Sequence, residues 1–343
     1  MSILIKNFVE QLLEKEDLSF NESYELMYGI MRGEVSDPNI SAILVALKSK
    51  GESPEEIAGF AKAMRDNCIN INCDAENTID VCGTGGDNSG SFNISTATAF
   101  TVAGAGISVA KHGNRSISSK CGSADVLQQL GININLTPQQ SEKALSEIGI
   151  AFLFAPLFHP AMRHAANVRK ELGIKTVFNM LGPLTNPAGV KKQIIGTFSG
   201  QAAKKMAEAA KYLGFDRVCF LCSDDKYDEI YLGNTTDIYE YEKGKDVKKY
   251  TITNNTFNYP VTLSDEIKGS TPEKNAEIIL DVFNCNRKGG AFHTIVANSA
   301  LALYSSGFSD DLISCKEAAE ASINNGSALR KLDELRNYSN SLS

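Results

Sequence analysis

The stretch DVCGTGGDNSGSFNIST, residues 80–96, decides the fold, because it joins a short apolar strand to the start of a helix through a glycine-rich turn. Gly83, Gly85 and Gly86 permit backbone conformations and close approaches that larger residues resist. Polar residues at 93, 95 and 96 then fall at the cap and first turn of the helix, where backbone N–H groups favour an anion. The stretch therefore predicts a phosphate-binding turn.

Two familiar nucleotide loops do not fit this stretch. A Walker loop needs a Gly-Lys-Ser/Thr sequence, which is absent, and Asn88 stands where a dinucleotide fingerprint requires its third glycine. Taken alone, a glycine turn of this kind is more often a plain connection between a strand and a helix.

A second polar loop, KHGNRSISSKCGS at residues 111–123, favours the phosphate interpretation. It offers the cations Lys111, Arg115 and Lys120 together with several serine hydroxyls, and it follows the next predicted strand. Parallel α/β sheets bind ligands at the carboxyl ends of their strands, and both loops leave such ends. Two loops side by side would form a deep site for a polyanion, whereas a single one would read as a solvated connection.

Alternating segments beyond residue 75 predict a mainly parallel sheet covered by helices. The predicted strands are 78–82, 107–110, 151–154, 193–197 and 218–222, and the predicted helices are 95–105, 124–130, 138–148, 160–172 and 202–213. The first seventy or so residues instead read as four amphipathic helices, with start signals at Asp37-Pro38 and Ser53-Pro54. We therefore predict an α/β protein with a small all-helical N-terminal domain.

Composition excludes several classes of protein. The net charge of −7 and the pI near 5.3 argue against a general nucleic-acid partner, whose binding surface is normally basic. The N-terminus lacks the uninterrupted apolar core of a signal peptide, and the longest low-charge run, 94–110, is too short to span a bilayer. We therefore expect a cytoplasmic protein with no membrane partner.

The cysteines and histidines indicate neither disulfides nor zinc. Eight cysteines without an export signal are typical of reduced thiols. Cys219 and Cys222 have redox spacing but lie in a predicted buried strand with no helix start behind it. His159 and His164 are five residues apart, which puts them off a common helical face.

Taken together, the motifs resemble the anthranilate phosphoribosyltransferase family, which has the nucleoside phosphorylase class II fold. In two places the chain departs from the family: Cys121 stands where serine is expected, and SDDKYDE at 223–229 replaces the usual glycine-containing stretch before an Asp-Glu pair. The resemblance rests on GTGGD at 83–87, FNIST at 92–96, KHGNR at 111–115, GSADVL at 122–127 and HPAMRHAANVRKELGIKTVFNMLGPLTNPA at 159–188.

The resemblance implies an enzyme of tryptophan biosynthesis that joins anthranilate to phosphoribosyl pyrophosphate and releases pyrophosphate. It implies a small helical domain of residues 1–72, joined in space by part of 160–185, and an α/β domain of 73–343 that binds phosphoribosyl pyrophosphate. It also implies a homodimer through the helical domain and Mg²⁺, two ions per subunit. No side chain is expected to act as a general acid or base, because positioning and charge neutralisation suffice.

The resemblance assigns site residues to three groups. The Mg²⁺ ligands are Ser95, Asp228 and Glu229, with Asp224 and Asp225 as alternatives. Anthranilate would contact Gly83, Asn114 and Arg169, with His112 in the same pocket. The residues implied to bind phosphoribosyl pyrophosphate are Gly83, Gly86, Asp87, Ser91, Asn93, Ile94, Ser95, Thr96, Lys111, His112, Gly113, Asn114, Arg115, Ser119 and Ser123.

Several alternatives stay open from the sequence. Arg169 has the fork geometry that matches a carboxylate ligand, but it could instead form an ion pair on the helix surface with Glu171 or another carboxylate. A pyrimidine nucleoside phosphorylase shares the fold and would use phosphate as nucleophile. A non-catalytic nucleic-acid-binding relative is the third possibility, and it should be basic and lack the metal carboxylates.

Overall fold

A computed structural model of the protein describes residues 2–86, 89–116 and 121–341, with side chains from residue 5 onward. The helices of this part are α1 (Ser2–Leu13), α2 (Phe20–Met31), α3 (Asp37–Lys50), α4 (Pro54–Asp66), α5 (Ile94–Gly104), α6 (Ser123–Gln129), α7 (Pro138–Ile148), α8 (Ala155–Phe158), α9 (Arg163–Leu172), α10 (Phe178–Leu181), α11 (Gly200–Ala210), α12 (Pro272–Phe283), α13 (Gly290–Ser306), α14 (Leu312–Asn324) and α15 (Ser327–Asn340). The strands are β1 (Thr78–Gly83), β2 (Ser108–Gly113), β3 (Ile150–Phe154), β4 (Lys192–Gly196), β5 (Arg217–Ser223), β6 (Thr236–Glu242) and β7 (Lys248–Ile252).

The described strands form one sheet in the order β3-β2-β1-β4-β5-β6-β7. Strands β1 to β5 are parallel, and β6 and β7 are added antiparallel at one edge. The chain moves outward from β1 in one direction through β2 and β3, and β4 then begins the other half of the sheet. The carboxyl ends of β1 and β4 therefore flank a topological switch point, where open α/β sheets bind ligands.

The α/β fold class with an N-terminal group of helices is confirmed, with some corrections to the elements. Strands β6 and β7 were not predicted: β6 places charged residues between its apolar ones, and β7 is largely exposed at the edge. Strand β2 continues through Gly113, so Lys111 and His112 belong to the strand and not to the loop. The predicted helix 160–172 begins as a short 3-10 turn before α9.

Capping explains where the N-terminal helices begin. The Ser53 hydroxyl accepts the backbone N–H of Glu56, and the Glu56 carboxylate accepts the N–H of Ser53, which is the predicted capping box. The prediction for α3 is wrong by one residue: Ser36 occupies the cap position and Asp37 is the first helical residue.

Apolar cores cover both faces of the sheet. One joins α5, α6 and α12–α15 to the sheet. The other joins α1–α4 and α11 to the opposite face, and it includes Ala165, Val168 and Phe178 from α9 and α10. The 160–185 segment thus packs with the N-terminal helices, while the domain boundary at residue 72 stays a prediction. Among the described residues, no helix has both the length and the apolar character needed to cross a membrane.

Candidate functional site

The glycine turn after β1 is built around close backbone approaches. The Thr84 N–H donates to the carbonyl of Gly196 at 2.8 Å, which ties the turn to the end of β4. Gly85 and Gly86 have φ of 63° and 71°, a region that favours glycine. A Cβ on Gly196 would lie 1.6 Å from the carbonyl oxygen of Asp228. The turn therefore brings β1, β4 and the segment after β5 together.

Asn93 occupies the cap position of α5, but its side chain does not cap the helix. Its amide instead donates to the carbonyl of Cys121 at 3.3 Å, and its Oδ1 accepts from the Cys121 thiol at 3.2 Å and from Asn275 at 2.9 Å. These contacts hold the end of the second loop against the start of α5. Because the Asn93 side chain is turned away, it does not cap α5, whose N-terminal end favours an anion.

Lys111 is buried, which corrects its prediction as a loop cation. Its ammonium crosses from β2 to donate to the carbonyl of Val81 at 2.6 Å and to the Ser95 hydroxyl at 3.2 Å. Burial lowers the pKa of Lys111, and the carboxylate of Asp80 opposes that shift. Lys111 thus lies beneath the start of α5, where it supports Ser95 from below.

Asp80 is a buried carboxylate that the sequence analysis did not single out. It accepts the backbone N–H of His112 at 3.1 Å and the side-chain amide of Gln193 at 2.9 Å. Burial raises the pKa of Asp80, while Lys111 and these donors lower it. The sequence did contain a signal for Asp80, since it is a charged residue inside the apolar strand β1. An unpaired buried charge is strongly unfavourable, so such a residue must have partners.

The second loop is organised by Asp125 in the first turn of α6. Its carboxylate accepts the backbone N–H groups of Gly122 and Ser116 and pairs with Arg115 at 2.8 Å. Burial raises the pKa of Asp125, but these donors outweigh it and lower the pKa overall. The Ser123 hydroxyl donates to the carbonyl of Asn114 at 3.2 Å. These contacts hold residues 114–116 against the start of α6.

The acidic pair after β5 meets the glycine turn. The Asp228 carboxylate accepts the N–H of Gly85 at 3.1 Å, and the Glu229 carboxylate accepts the Ser91 hydroxyl at 2.5 Å. Asp225 instead accepts the N–H of Gly200 at 2.7 Å, at the start of α11. Of the two acidic pairs that were weighed as metal ligands, 228–229 is the one that adjoins the predicted phosphate turn.

The donor chemistry at this point fits Mg²⁺. Carboxylate and hydroxyl oxygens are the ligands that Mg²⁺ prefers, and it usually takes one or two carboxylates and completes its shell with phosphates and water. Within residues 2–86, 89–116 and 121–341, no three His, Cys, Asp or Glu side chains converge as a closed metal site. Asp228 and Glu229 therefore fit an ion shared with a phosphate ligand better than an all-protein cage.

Arg169 on α9 is partly buried beside an aromatic ring. Its guanidinium lies over the ring of Phe178, 4.9 Å from the centroid, and burial lowers its pKa. No carboxylate among the described residues lies within 4 Å of it. Glu171 instead accepts the amide of Asn167 at 2.9 Å. The alternative of an ion pair with Glu171 is therefore wrong.

Two buried histidines pack together near the end of β2. The rings of His112 and His159 are 5.1 Å apart between centroids. Burial lowers the pKa of both, that of His159 to about 4. Both imidazoles are therefore neutral at neutral pH.

Two predicted site residues, Asp87 and Ser119, lie outside the described residues. None of the eight cysteines, all of which are described, forms a disulfide, and burial raises the pKa of Cys222 to about 12, which leaves its thiol unreactive. Asn275 is a further residue that sequence analysis missed, since its amide holds Asn93 from the start of α12. Asn275 lies in an amphipathic helix, and nothing in the local sequence marks it.

Comparisons with known proteins match this architecture. Residues 6–68 match the helical bundle domain of a glycosyl transferase family, and residues 75–329 match its a/b domain. Anthranilate phosphoribosyltransferase of Alkaliphilus metalliredigens is 41% identical over 339 residues, covering 99% of both chains. That of Caldanaerobacter subterraneus is 42% identical, covering 98% of both. The chain belongs to the anthranilate phosphoribosyltransferase family.

Solved anthranilate phosphoribosyltransferases share the fold. The enzyme from Thermus thermophilus superposes with a TM-score of 0.90 at 37% identity, covering 97% of this chain and 99% of that one. The Saccharomyces cerevisiae enzyme in complex with PRPP and Mg has a TM-score of 0.90 at 25% identity, and its complex with 4-fluoroanthranilate has 0.89. Each yeast comparison covers 99% of both chains.

Proposed function

We propose that this protein transfers the phosphoribosyl group of phosphoribosyl pyrophosphate to the amine of anthranilate, giving N-(5-phosphoribosyl)anthranilate and pyrophosphate in tryptophan biosynthesis. The observation that carries the proposal is the hydrogen bond from the Gly85 N–H to the Asp228 carboxylate. It joins a phosphate turn to a pair of oxygen ligands at the switch point of the sheet, which is what a metal-dependent pyrophosphate leaving group requires.

The reaction breaks the bond between the ribose C1 and the pyrophosphate oxygen and forms a bond between C1 and the amine nitrogen. The amine is nucleophilic while neutral, and it loses its proton after the C–N bond has formed. Negative charge grows on the leaving pyrophosphate, so donors placed in advance at that position lower the barrier. Bound Mg²⁺ would neutralise part of this charge.

The residues of the chain then divide the work. The start of α5, with the Ser95 hydroxyl, would bind the pyrophosphate beside the turn at 83–86. Lys111 orients that hydroxyl from beneath. Asp228 and Glu229, with Ser95, would hold Mg²⁺, two ions per subunit, and the ions would supply positive charge to the leaving pyrophosphate. Asp87 and Ser119 remain predicted contributors to this half of the site.

The aromatic substrate belongs on the other side of the ribose. Arg169 has no carboxylate partner among the described residues and lies over the ring of Phe178, so its fork is available for the carboxylate of anthranilate. Gly83 and Asn114 would line the same pocket, and the neutral His112 would add a polar edge that does not compete for the substrate's negative charge.

We also propose a cytoplasmic homodimer. Eight free cysteines suit a reducing compartment. The helices α1 and α3 pack together and leave Leu13 and Val45 with 67% and 46% of their surface exposed, which supports a subunit contact on the helical face.

The deciding experiment is to incubate the protein with anthranilate, phosphoribosyl pyrophosphate and Mg²⁺ and to follow the loss of anthranilate fluorescence. Thymidine or uridine with phosphate in place of these substrates tests for a nucleoside phosphorylase. Release of a free pyrimidine base, with no loss of anthranilate, would overturn the proposal. A gel-shift assay with single-stranded and double-stranded nucleic acid tests the non-catalytic alternative.

A further inference from the structure

Helix α13 is buried and predominantly apolar, yet it carries an asparagine in its middle. Asn298 is 4% exposed and lies among residues such as Ala297, Ala300 and Leu301 that are fully buried. A buried amide is unfavourable unless its donors and acceptor are satisfied. Its hydrogen bonds therefore indicate what it does in the fold.

The amide of Asn298 clamps the backbone of Ile230, the residue directly after the acidic pair. Its Oδ1 accepts the Ile230 N–H at 3.0 Å, and its Nδ2 donates to the Ile230 carbonyl at 3.1 Å. The second Nδ2 proton goes to the carbonyl of Thr294 at 2.8 Å, one turn earlier on α13. These bonds fix the orientation of the amide, since a flipped amide would place oxygen against two carbonyls.

The segment around Ile230 has no regular secondary structure, so its backbone groups need such partners. Ser223 supplies the second attachment: its hydroxyl donates to the Glu229 carbonyl at 2.5 Å and accepts the Tyr231 N–H at 3.0 Å. The backbone from 229 to 231 is thus held by side chains from α13 and from the end of β5. This leaves the carboxylates of Asp228 and Glu229 facing the glycine turn.

We infer that Asn298 is a positioning residue for the acidic pair, holding Asp228 and Glu229 at the spacing that Mg²⁺ and pyrophosphate require. The inference rests on the proposed function of that pair as the metal ligands. Residues that orient metal ligands through hydrogen bonds influence affinity strongly, and their loss typically weakens metal binding by about 10- to 100-fold.

The test uses Asn298→Leu, which keeps the approximate shape and removes all three hydrogen bonds. Mn²⁺ binding in the presence of phosphoribosyl pyrophosphate is measured from the electron paramagnetic resonance signal of free Mn²⁺, without turnover. We expect a loss of affinity of about tenfold or more, with the Michaelis constant for anthranilate unchanged. Asn298→Asp is a second isosteric variant, which turns an oxygen toward two carbonyls and should shift affinity in the same direction.

Leu301→Ala provides the matched control, because it removes packing from the same helix and leaves the hydrogen bonds between Asn298 and Ile230 in place. It should lower the melting temperature and leave Mn²⁺ affinity intact. If Asn298→Leu likewise lowers only the melting temperature and keeps its Mn²⁺ affinity, Asn298 is merely structural and the inference is overturned. If the wild-type protein itself fails to bind Mn²⁺ with phosphoribosyl pyrophosphate, the proposed metal site fails, independently of Asn298.

Discussion

Asp228 lies 143 residues from Gly85 along the chain, yet its carboxylate accepts the Gly85 N–H at 3.1 Å. A Cβ on Gly83 would lie 2.5 Å from the same carboxylate, so a side chain there would displace it. The acidic pair and the glycine turn are therefore packed as a single structure, and changes on either side should affect both.

Replacing Asp228 with Asn and Glu229 with Gln keeps the shape of the acidic pair and removes both charges. Apparent Mg²⁺ affinity and turnover should both fall, because Mg²⁺ relies on carboxylate oxygens. A Mg²⁺ titration of the initial rate measures this. Asp224→Asn is the control and should leave the titration unchanged. An unaltered Mg²⁺ dependence in the double variant would move the ligands to Asp224 and Asp225.

Arg169→Ala should weaken anthranilate selectively. Loss of a charge-assisted contact worth about 1.5 to 3 kcal/mol corresponds to about a ten- to hundredfold rise in its Michaelis constant. The Michaelis constant for phosphoribosyl pyrophosphate should change much less. Ser95→Ala should instead raise the Michaelis constant for phosphoribosyl pyrophosphate more than that for anthranilate. Arg163→Ala, an exposed change on the same helix, is the control. Equal weakening of both substrates would contradict the division of the site.

Gly196→Ala should impair the site, because the new side chain would displace the backbone of Asp228. Its new Cβ would lie 1.6 Å from the Asp228 carbonyl, so the segment carrying the acidic pair must move. We expect lower Mg²⁺ affinity and a lower melting temperature, measured by rate titration and thermal unfolding. Gly200→Ala, whose nearest contact would be 3.4 Å from Asp225, serves as the control. Full activity in the first variant would be incompatible with the close packing described.

The buried His159 should make stability depend on pH. Burial lowers its pKa from 6.5 to about 4, so the unfolded chain binds more protons than the folded one between these values. Stability should therefore fall as pH falls through this window, by up to about 3 kcal/mol from this group. His112, whose pKa burial also lowers, acts in the same direction.

Urea unfolding of the wild-type protein and of His159→Gln at pH 7 and pH 5 measures this dependence. The variant should lose less stability on acidification, and the partly exposed His164→Gln should behave as the wild type. Identical acid sensitivity in the His159 variant and the wild type would show that His159 does not stay neutral in the folded state.

Light scattering should report a particle of twice the chain mass of 37.1 kDa. The double change Leu13→Glu and Val45→Glu should yield monomers, because it places charges on the exposed apolar face of α1 and α3. Val261→Glu with Leu263→Glu, equally exposed but remote in sequence, should leave the dimer intact. A wild-type monomer at micromolar concentration would exclude the proposed contact.

The sequence by itself determined the elements whose signals are local. Glycines next to a cap residue predicted the turn at 83–86, alternation of apolar runs predicted the parallel strands, and the Ser53 box predicted the start of α4. These features depend on residues a few positions apart in the sequence, so a single segment is enough to predict each of them. The order of the motifs also predicted the family, because it combines many such local segments.

Only the tertiary structure decided which distant groups meet. The resemblance gave Asp228 and Glu229 as metal ligands, with Asp224 and Asp225 as alternatives. Packing brings the Asp228 carboxylate to Gly85 and the Glu229 carboxylate to Ser91, whereas Asp225 binds the start of α11. Burial of Lys111 followed from the extension of β2, and the clamp of Ile230 by Asn298 spans 68 residues. Such contacts arise because a buried polar group takes whichever partner the folded core brings near it, and nothing in its own neighbourhood specifies that partner.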